Sequence, residues 1–381
     1  MDVNELIETG NSFRDTNPAE SLKYYAQAFI TDPDCMAARN NYGNVIREMG
    51  HPERAIPFLQ QAVVLNPNYV TAHFNLAVCY LMMGRYSEGW PLYEVREHYE
   101  HLAGTFPKFD QPRWRGEDLH GKVIYVMGEQ GHGDNIQFVR FIRRLEQLGA
   151  QIKLSTTSGL ISLFQFNFPN IQLLNYNEPL GHFDYWSPIM SLPLGLQITL
   201  ENLAKDLQYL GPRKIKENEW RKFLGPKHKT RIGIQWSGRR DAWLNQHKGM
   251  SLETMSHLIK KFPDCEWINL QIDSEPHEND LLNSLNVKQY PGTIRCFEDT
   301  AALIANLDLV ITVDTAIAHL AGSLGRPTWI CLPKFAVDWR WQQKRKDCAW
   351  YPSARLFRQE NFHDWSNVIN SLELNLNKFK V

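Results

Sequence analysis

Two stretches of the chain hold residue types at spacings that could do chemistry. The first is Gly128-Glu-Gln-Gly-His-Gly-Asp134-Asn-Ile-Gln137. Its glycines let the backbone turn sharply and open a crevice, with Asp134 at the mouth. A carboxylate there could take a proton as a general base, or could simply cap the adjoining helix. The order G-x-x-G-x-G-D is not a P-loop, because no Gly-Lys-Ser/Thr comes after it, and it is not the G-x-G-x-x-G dinucleotide fingerprint. The second stretch is Asp314-Thr-Ala-Ile-Ala-His-Leu-Ala-Gly322, a helix opening with Asp314 as N-cap candidate. Backbone N–H groups at Thr315 and Ala316 could donate to a phosphate with the helix dipole behind them. His319 lies one turn on, on the same face.

These residues need a frame that brings strand ends together. The apolar run 122–127 reads as a buried strand feeding the first loop, and apolar residues at helical spacing occupy 134–148, ending near Gly149. Strands are expected at 151–155, 171–175 and from 184, with a helix through Phe166 between the first two. A polar, Lys-rich connection fills 200–230. The alternation restarts with strands at 231–236, 267–271, 309–313 and 328–332, and helices at 301–306 and from 314. Two doubly wound parallel-sheet halves in succession leave a cleft to which both offer their strand ends.

Upstream the pattern changes. Residues 17–50 and 51–84 align without a gap at a period of 34 residues, pairing Pro18 with Pro52, Ala28 with Ala62, Ala38 with Ala72, Asn41 with Asn75 and Gly50 with Gly84. A third unit begins at Arg85, and Gly10-Asn-Ser-Phe13 ends an earlier helix. Period and pattern resemble tetratricopeptide repeats, helix pairs that bury their faces only against neighbours. About two and a half units are too few for comfortable independence, so the array is expected to lean on the next domain. The segment 94–120, with Pro107, Pro112 and Gly116, reads as a linker.

Composition excludes several classes. With 41 basic against 42 acidic side chains, net charge gives no reason to expect nucleic acid or an anionic membrane as partner. The 6 cysteines are scattered without C-x-x-C or a nearby histidine pair, which points to buried thiols in a reducing compartment and away from zinc. Met1-Asp-Val-Asn-Glu lacks the basic-then-apolar order of a signal peptide, and Asn306, Asp308 and Asp314 interrupt the longest apolar stretches, so no membrane span is expected. A cytoplasmic enzyme or adaptor remains.

Several motifs together carry a family resemblance. Gly133-Asp134 and Val313-Asp-Thr-Ala-x-x-His319-Leu resemble the paired motifs of glycosyltransferase family 9, the ADP-heptosyltransferases of GT-B fold. The match is closer to bacterial relatives fused to tetratricopeptide repeats, which share Gly128-Glu-Gln-Gly-x-Gly-Asp134, Ser191-Leu-Pro193, Trp236-Ser-Gly238, Asp338-Trp-Arg-Trp341 and Trp350-Tyr-Pro…Arg355-Leu-Phe-Arg-Gln359. The resemblance spans about residues 10–360. It implies an α plus α/β architecture, with repeats over 1–100 and a linker over 101–120. An acceptor-side Rossmann-like half comes next over 121–210, then a sugar-nucleotide half over 211–360 and a C-terminal helix over 361–381. It makes Asp134 the base, and the Asp314–His319 motif the holder of the diphosphate and sugar. His132 stands where relatives usually carry an apolar residue, so two candidate bases sit two residues apart.

On that resemblance the chain is an inverting, metal-independent glycosyltransferase with a nucleotide-diphosphate sugar as co-substrate and no cofactor. Donor candidates are Trp236, Ser237, Gly238, Arg239, Lys248, Gln271, Asp314, Thr315, Ala316 and His319, with Arg240 a further cation. Acceptor candidates are Gln130 and Gln137 in the first loop, with Asn41 and Asn75 in the repeats. In protein O-GlcNAc transferases that repeat position forms an asparagine ladder on peptide backbone, which implies a protein or peptide acceptor here; the alternative is two solvated amides. Asp338-Trp-Arg-Trp341 is expected to pack over the cleft. A glycan or lipid-linked acceptor and a repeat adaptor with an inactive transferase half are the competing readings. Donor sugar, base and oligomeric state stay open.

Overall fold

The computed structural model describes residues 1–99, 102, 104–129, 131–203, 208–238 and 248–379. The chain forms two units. The first comprises Met1–Phe109 together with two returning segments, Gln197–Glu201 and Lys334–Arg345. The second holds everything else.

The repeat unit contains helices α1 (Val3–Phe13), α2 (Pro18–Thr31), α3 (Met36–Glu48), α4 (Pro52–Leu65), α5 (Val70–Met82) and α6 (Tyr86–Tyr93). Local sequence explains their ends. Asn17 caps α2 by accepting from the Glu20 N–H, and Pro18 and Pro52 stand where α2 and α4 begin. Gly50 and Gly84, a repeat apart, have φ of +87° and +74°. There they close α3 and α5 with bonds from His51 N to Ile46 O (3.1 Å) and Arg85 N to Tyr80 O (2.9 Å). Ala28, Ala38, Ala62 and Ala72 are all fully buried, the small residues that let successive helices approach.

The returning segments complete the unfinished third repeat. Trp90 Nε1 donates to Ile198 O at 3.0 Å, and Trp339 packs edge-on against Trp90 and Tyr93. Ala336 N donates to Glu48 O at 2.9 Å. Asp338-Trp-Arg-Trp341, expected to pack over the cleft, has its aromatic contacts on the repeat helices, where Trp90 and Tyr93 offer it a face.

The repeat asparagines are tied to one another. Asn75 is buried and its Nδ2 donates to Asn40 Oδ1 at 3.0 Å, while Asn40 Nδ2 donates to Asn41 Oδ1 at 3.1 Å. Asn41 reaches Asn11 Oδ1 at 3.4 Å, and Tyr25 Oη donates to the same oxygen at 2.6 Å.

The second unit carries two parallel sheets. Strands β1 (Val123–Met127), β2 (Gln151–Thr156), β3 (Gln172–Asn175) and β4 (Tyr185–Pro188) lie in the order β3-β2-β1-β4. Strands β5 (Arg231–Gln235), β6 (Glu266–Asn269), β7 (Leu309–Val313), β8 (Thr328–Leu332) and β9 (Ala354–Arg358) lie in the order β6-β5-β7-β8-β9. In each sheet β1 or β7 is central and buried, matching its unbroken apolar run. The helix expected over 134–148 starts earlier, at His132, and is broken into His132–Phe138, a 3₁₀ turn Val139–Phe141 and Ile142–Gln147. Helix Lys214–Leu224 occupies the Lys-rich connection; Arg213 pairs with Glu298 and Lys216 with Asp299 (3.1 Å). In the expected linker Trp114 is buried, its N–H on Trp186 O at 2.8 Å. The C-terminal helix Ser366–Leu376 contributes Val368 and Leu372 to the core around Ile232, Ile311 and Met255.

Replacing Asn75 by Ala removes the donor to Asn40 and leaves a buried acceptor behind. Unfolding of the repeat helices in urea, followed by circular dichroism, should show a loss of about 1–2 kcal/mol. An unchanged midpoint would mean that the amide run contributes nothing.

Candidate active site

The first loop is built by its own side chains. A Cβ on Gly128 would stand 2.6 Å from Ser155 O and collide with Asn135 Oδ1, so the residue that follows β1 here must be glycine. Asn135, fully buried, donates to Glu129 O at 3.1 Å and Gly131 O at 2.9 Å and fixes the turn. Glu129 Oε1 accepts from Met190 N at 2.9 Å, which joins the loop to the segment after β4. Asp134 is the third residue of its helix, and its Oδ2 accepts from Gly131 N at 2.8 Å. The aspartate therefore reaches back to the cap residue Gly131 and is not itself the N-cap. His132 is exposed, its ring 4.9 Å from that of Phe297.

The second stretch opens at Thr315, the true N-cap of helix Ala316–Ser323. Its hydroxyl does not cap: Oγ1 donates to Gln235 Oε1 at 2.5 Å and lies 3.2 Å from Thr312 Oγ1. The first amides of the helix, which no helix can satisfy internally, thus receive no side-chain cap. Asp314 pairs with Lys248 Nζ at 2.7 Å, so the expected anion-binding lysine and sugar-binding carboxylate are each other's partners. His319 is buried, and its Nδ1 lies 2.9 Å from Tyr351 Oη. Burial holds the Tyr351 phenol well above its ordinary pKa, with Tyr209 reinforcing the rise.

Gly133 brings the two stretches together. A Cβ there would meet His319 Cδ2 at 2.8 Å and Ala316 Cα at 3.5 Å. The start of the aspartate-bearing helix thus lies directly against the opening turn of the 316–323 helix, across the two sheets.

Other candidates fall elsewhere. Trp236 is 1% exposed with Nε1 on Glu278 Oε1 at 2.8 Å, so it packs the core below the loop and offers no face to a donor. Gln271 is buried and its Oε1 accepts from Ser237 N at 3.1 Å; it holds the Ser237-Gly238 turn in place. Ser237 Oγ donates to Gly238 O at 3.1 Å. Gln137 is fully buried within its helix, out of reach of an acceptor. Gln130, Arg239 and Arg240 lie outside the described residues. Sequence reasoning missed Gln235, Asn135, Arg140 and Tyr351. Tyr351 carried a signal in the Trp350-Tyr-Pro motif, and Asn135 one in the first stretch, next to Asp134.

With this geometry in view, comparison with known proteins shows a likeness of fold first. The chain resembles Escherichia coli ADP-heptose lps heptosyltransferase II at a TM-score of 0.50 and 14% identity, over 66% of this chain and 97% of that one, a likeness of fold. The second unit is a GT-B arrangement of two doubly wound sheets. Residues 47–89 match the tetratricopeptide repeat model, and residues 296–331, which include Asp314, Thr315, Ala316 and His319, match the glycosyltransferase family 9 (heptosyltransferase) model. Protein FlbA of Caulobacter vibrioides is 27% identical over 396 residues, covering 95% of this chain; the chain spans 64% of that relative's length. TPR repeat-containing thioredoxin TTL4 of Arabidopsis thaliana is 34% identical over 84 residues, 22% of this chain and 12% of its own.

The contact at Gly133 makes a sharp prediction. His319 is held by Tyr351 and cannot give way, so Gly133→Ala should destabilise the fold by about 1–3 kcal/mol. Gly211→Ala, where an added Cβ meets nothing within 4 Å, should be near neutral. Equal melting temperatures for the two variants would refute the tight approach.

Proposed function

We propose that the chain is an inverting glycosyltransferase that uses a nucleotide-diphosphate sugar without a metal. The observation that supports this reading most is the meeting of Asp134's helix with the opening of the 316–323 helix at Gly133. Asp134 takes the proton of the acceptor's attacking group as that group bonds to the anomeric carbon on one face. The carbon–oxygen bond to the diphosphate breaks on the other face, and the electron pair leaves with the phosphate. The N–H groups at Ala316 and Ile317, with the helix dipole behind them and His319 beside them, stabilise the charge that develops. Lys248 neutralises Asp314 so that a carboxylate at this helix opening does not repel the anion.

The acceptor in this reading is a protein or peptide bound by the repeats, which is the usual work of such helix pairs. A second reading, transfer to a glycan or lipid-linked acceptor, is favoured by one observation: Asn75 is buried and bonded to Asn40, which removes one rung of an amide ladder for peptide backbone.

A thermal-shift panel with ADP, UDP, GDP and CDP tests the donor site; a diphosphate at 100 times its Kd stabilises by about 2.7 kcal/mol. Asp134→Asn should keep that shift while lowering turnover by ~10²–10⁴. His132→Ala should cost less, and the reverse ranking would make His132 the base. Turnover should persist in EDTA. His319→Ala should weaken diphosphate binding by about 1.5–3 kcal/mol, the scale of a hydrogen bond to a charged group; unchanged affinity in titration calorimetry would remove His319 from the donor site.

A further inference from the structure

Behind the Gly133 contact lies a buried polar cluster. Arg140 is 1% exposed, and none of its partners is a carboxylate among the described residues. Its Nε donates to Gln137 O at 2.9 Å, Nη1 to Trp350 O at 3.1 Å and Nη2 to Tyr209 Oη at 3.0 Å. The guanidinium also lies over the rings of Tyr209, Tyr351 and Trp350, at 4.5, 4.9 and 5.2 Å. Tyr209 Oη donates to Ile136 O at 2.9 Å. The cluster therefore holds the backbone of Asp134's helix on one side and Tyr351 on the other. Tyr351 is itself pressed against the 316–323 helix, where Gly322 leaves no room for a side chain.

We propose that Tyr351 is a positioning residue for His319, its hydroxyl donating to Nδ1 so that the ring proton sits on Nε2, toward Gly133. The assignment rests on the donor-site reading for its function, but its geometry stands alone. The phenol keeps its proton, since burial disfavours the phenolate. Its oxygen lies 2.9 Å from His319 Nδ1, within reach to donate to that nitrogen. A neutral imidazole carries its proton on one ring nitrogen only, so the partner of Nδ1 selects the tautomer. The Nε2–H form presents a donor to a phosphate oxygen. The Nδ1–H form would present a lone pair and repel it. The hydroxyl of Tyr351 selects the first of these.

The test uses the full chain with ¹⁵N-labelled histidine. His319→Ala identifies its signals among the 13 histidines in a long-range ¹H–¹⁵N spectrum. The wild type should show Nδ1 unprotonated and Nε2 protonated. Tyr351→Phe should move both nitrogens toward averaged values and weaken ADP or UDP binding roughly three- to tenfold, the scale of one hydrogen bond. Ser323→Ala cuts the hydroxyl's bond to Leu320 O on the same helix (2.7 Å); it should change the melting temperature without moving either readout. A protonated Nδ1 in the wild type, or His319 nitrogens unmoved by Tyr351→Phe, would overturn the proposal. If the wild type bound none of the nucleoside diphosphates, the donor-site reading would fail, and the nitrogen shifts would still decide the role of Tyr351.

Discussion

A missing side chain at residue 133 sets the closeness of the two helix openings. Asp134's helix belongs to one sheet's loop system and the 316–323 helix to the other's, and Gly133 lets the two touch. Any Cβ there would meet His319, which cannot swing aside because Tyr351 holds its other nitrogen. The chemistry proposed for the site needs a base on one face of a sugar and anion-stabilising donors on the other. That requirement is met only if helices from two separate sheets are held in fixed relation.

Burying Arg140 is the second constraint. A guanidinium removed from water is costly unless its donors and its charge are both answered. Here carbonyls and a phenol take the N–H groups, and three aromatic faces take the charge. Because Gln137 and Trp350 come from different parts of the fold, the arginine fastens helix to C-terminal segment where a carboxylate partner would have bound only one of them. Trp350 and Tyr351 are both fully buried in this arrangement.

Much of this was legible in the sequence, for identifiable reasons. The central strands β1 and β7 are short unbroken apolar runs bounded by glycine or aspartate, and periodicity finds such strands. The 34-residue repeat is a direct self-alignment, and Gly50 and Gly84 coincide in it because both must adopt positive φ. What was not legible depends on contacts far apart in sequence. Trp236 looked like a ligand-facing residue at a strand end, yet Glu278, 42 residues on, takes its N–H into the core. Asp338-Trp-Arg-Trp341 gave no sign that its partners were Trp90 and Tyr93. Thr315's hydroxyl turns to Gln235, a residue in another strand. Strand β9 was hidden because its alternation breaks, with the adjacent Leu356 and Phe357 both buried.

The central claim is that a nucleoside diphosphate binds at the opening of the 316–323 helix against Gly133. Amide shift perturbation on the deuterated, ¹⁵N-labelled full chain during titration with the best diphosphate tests it most directly. The account predicts that the amides of Gly133, Thr315, Ala316 and Ile317 move together and saturate with one dissociation constant. Among the described residues, a cavity of about 660 Å³ on the second sheet, whose lining includes His228, Lys229, Lys260 and Lys288 with Glu266, offers a rival binding surface. Saturating shifts there, with Gly133 and Ala316 unmoved, would contradict the account.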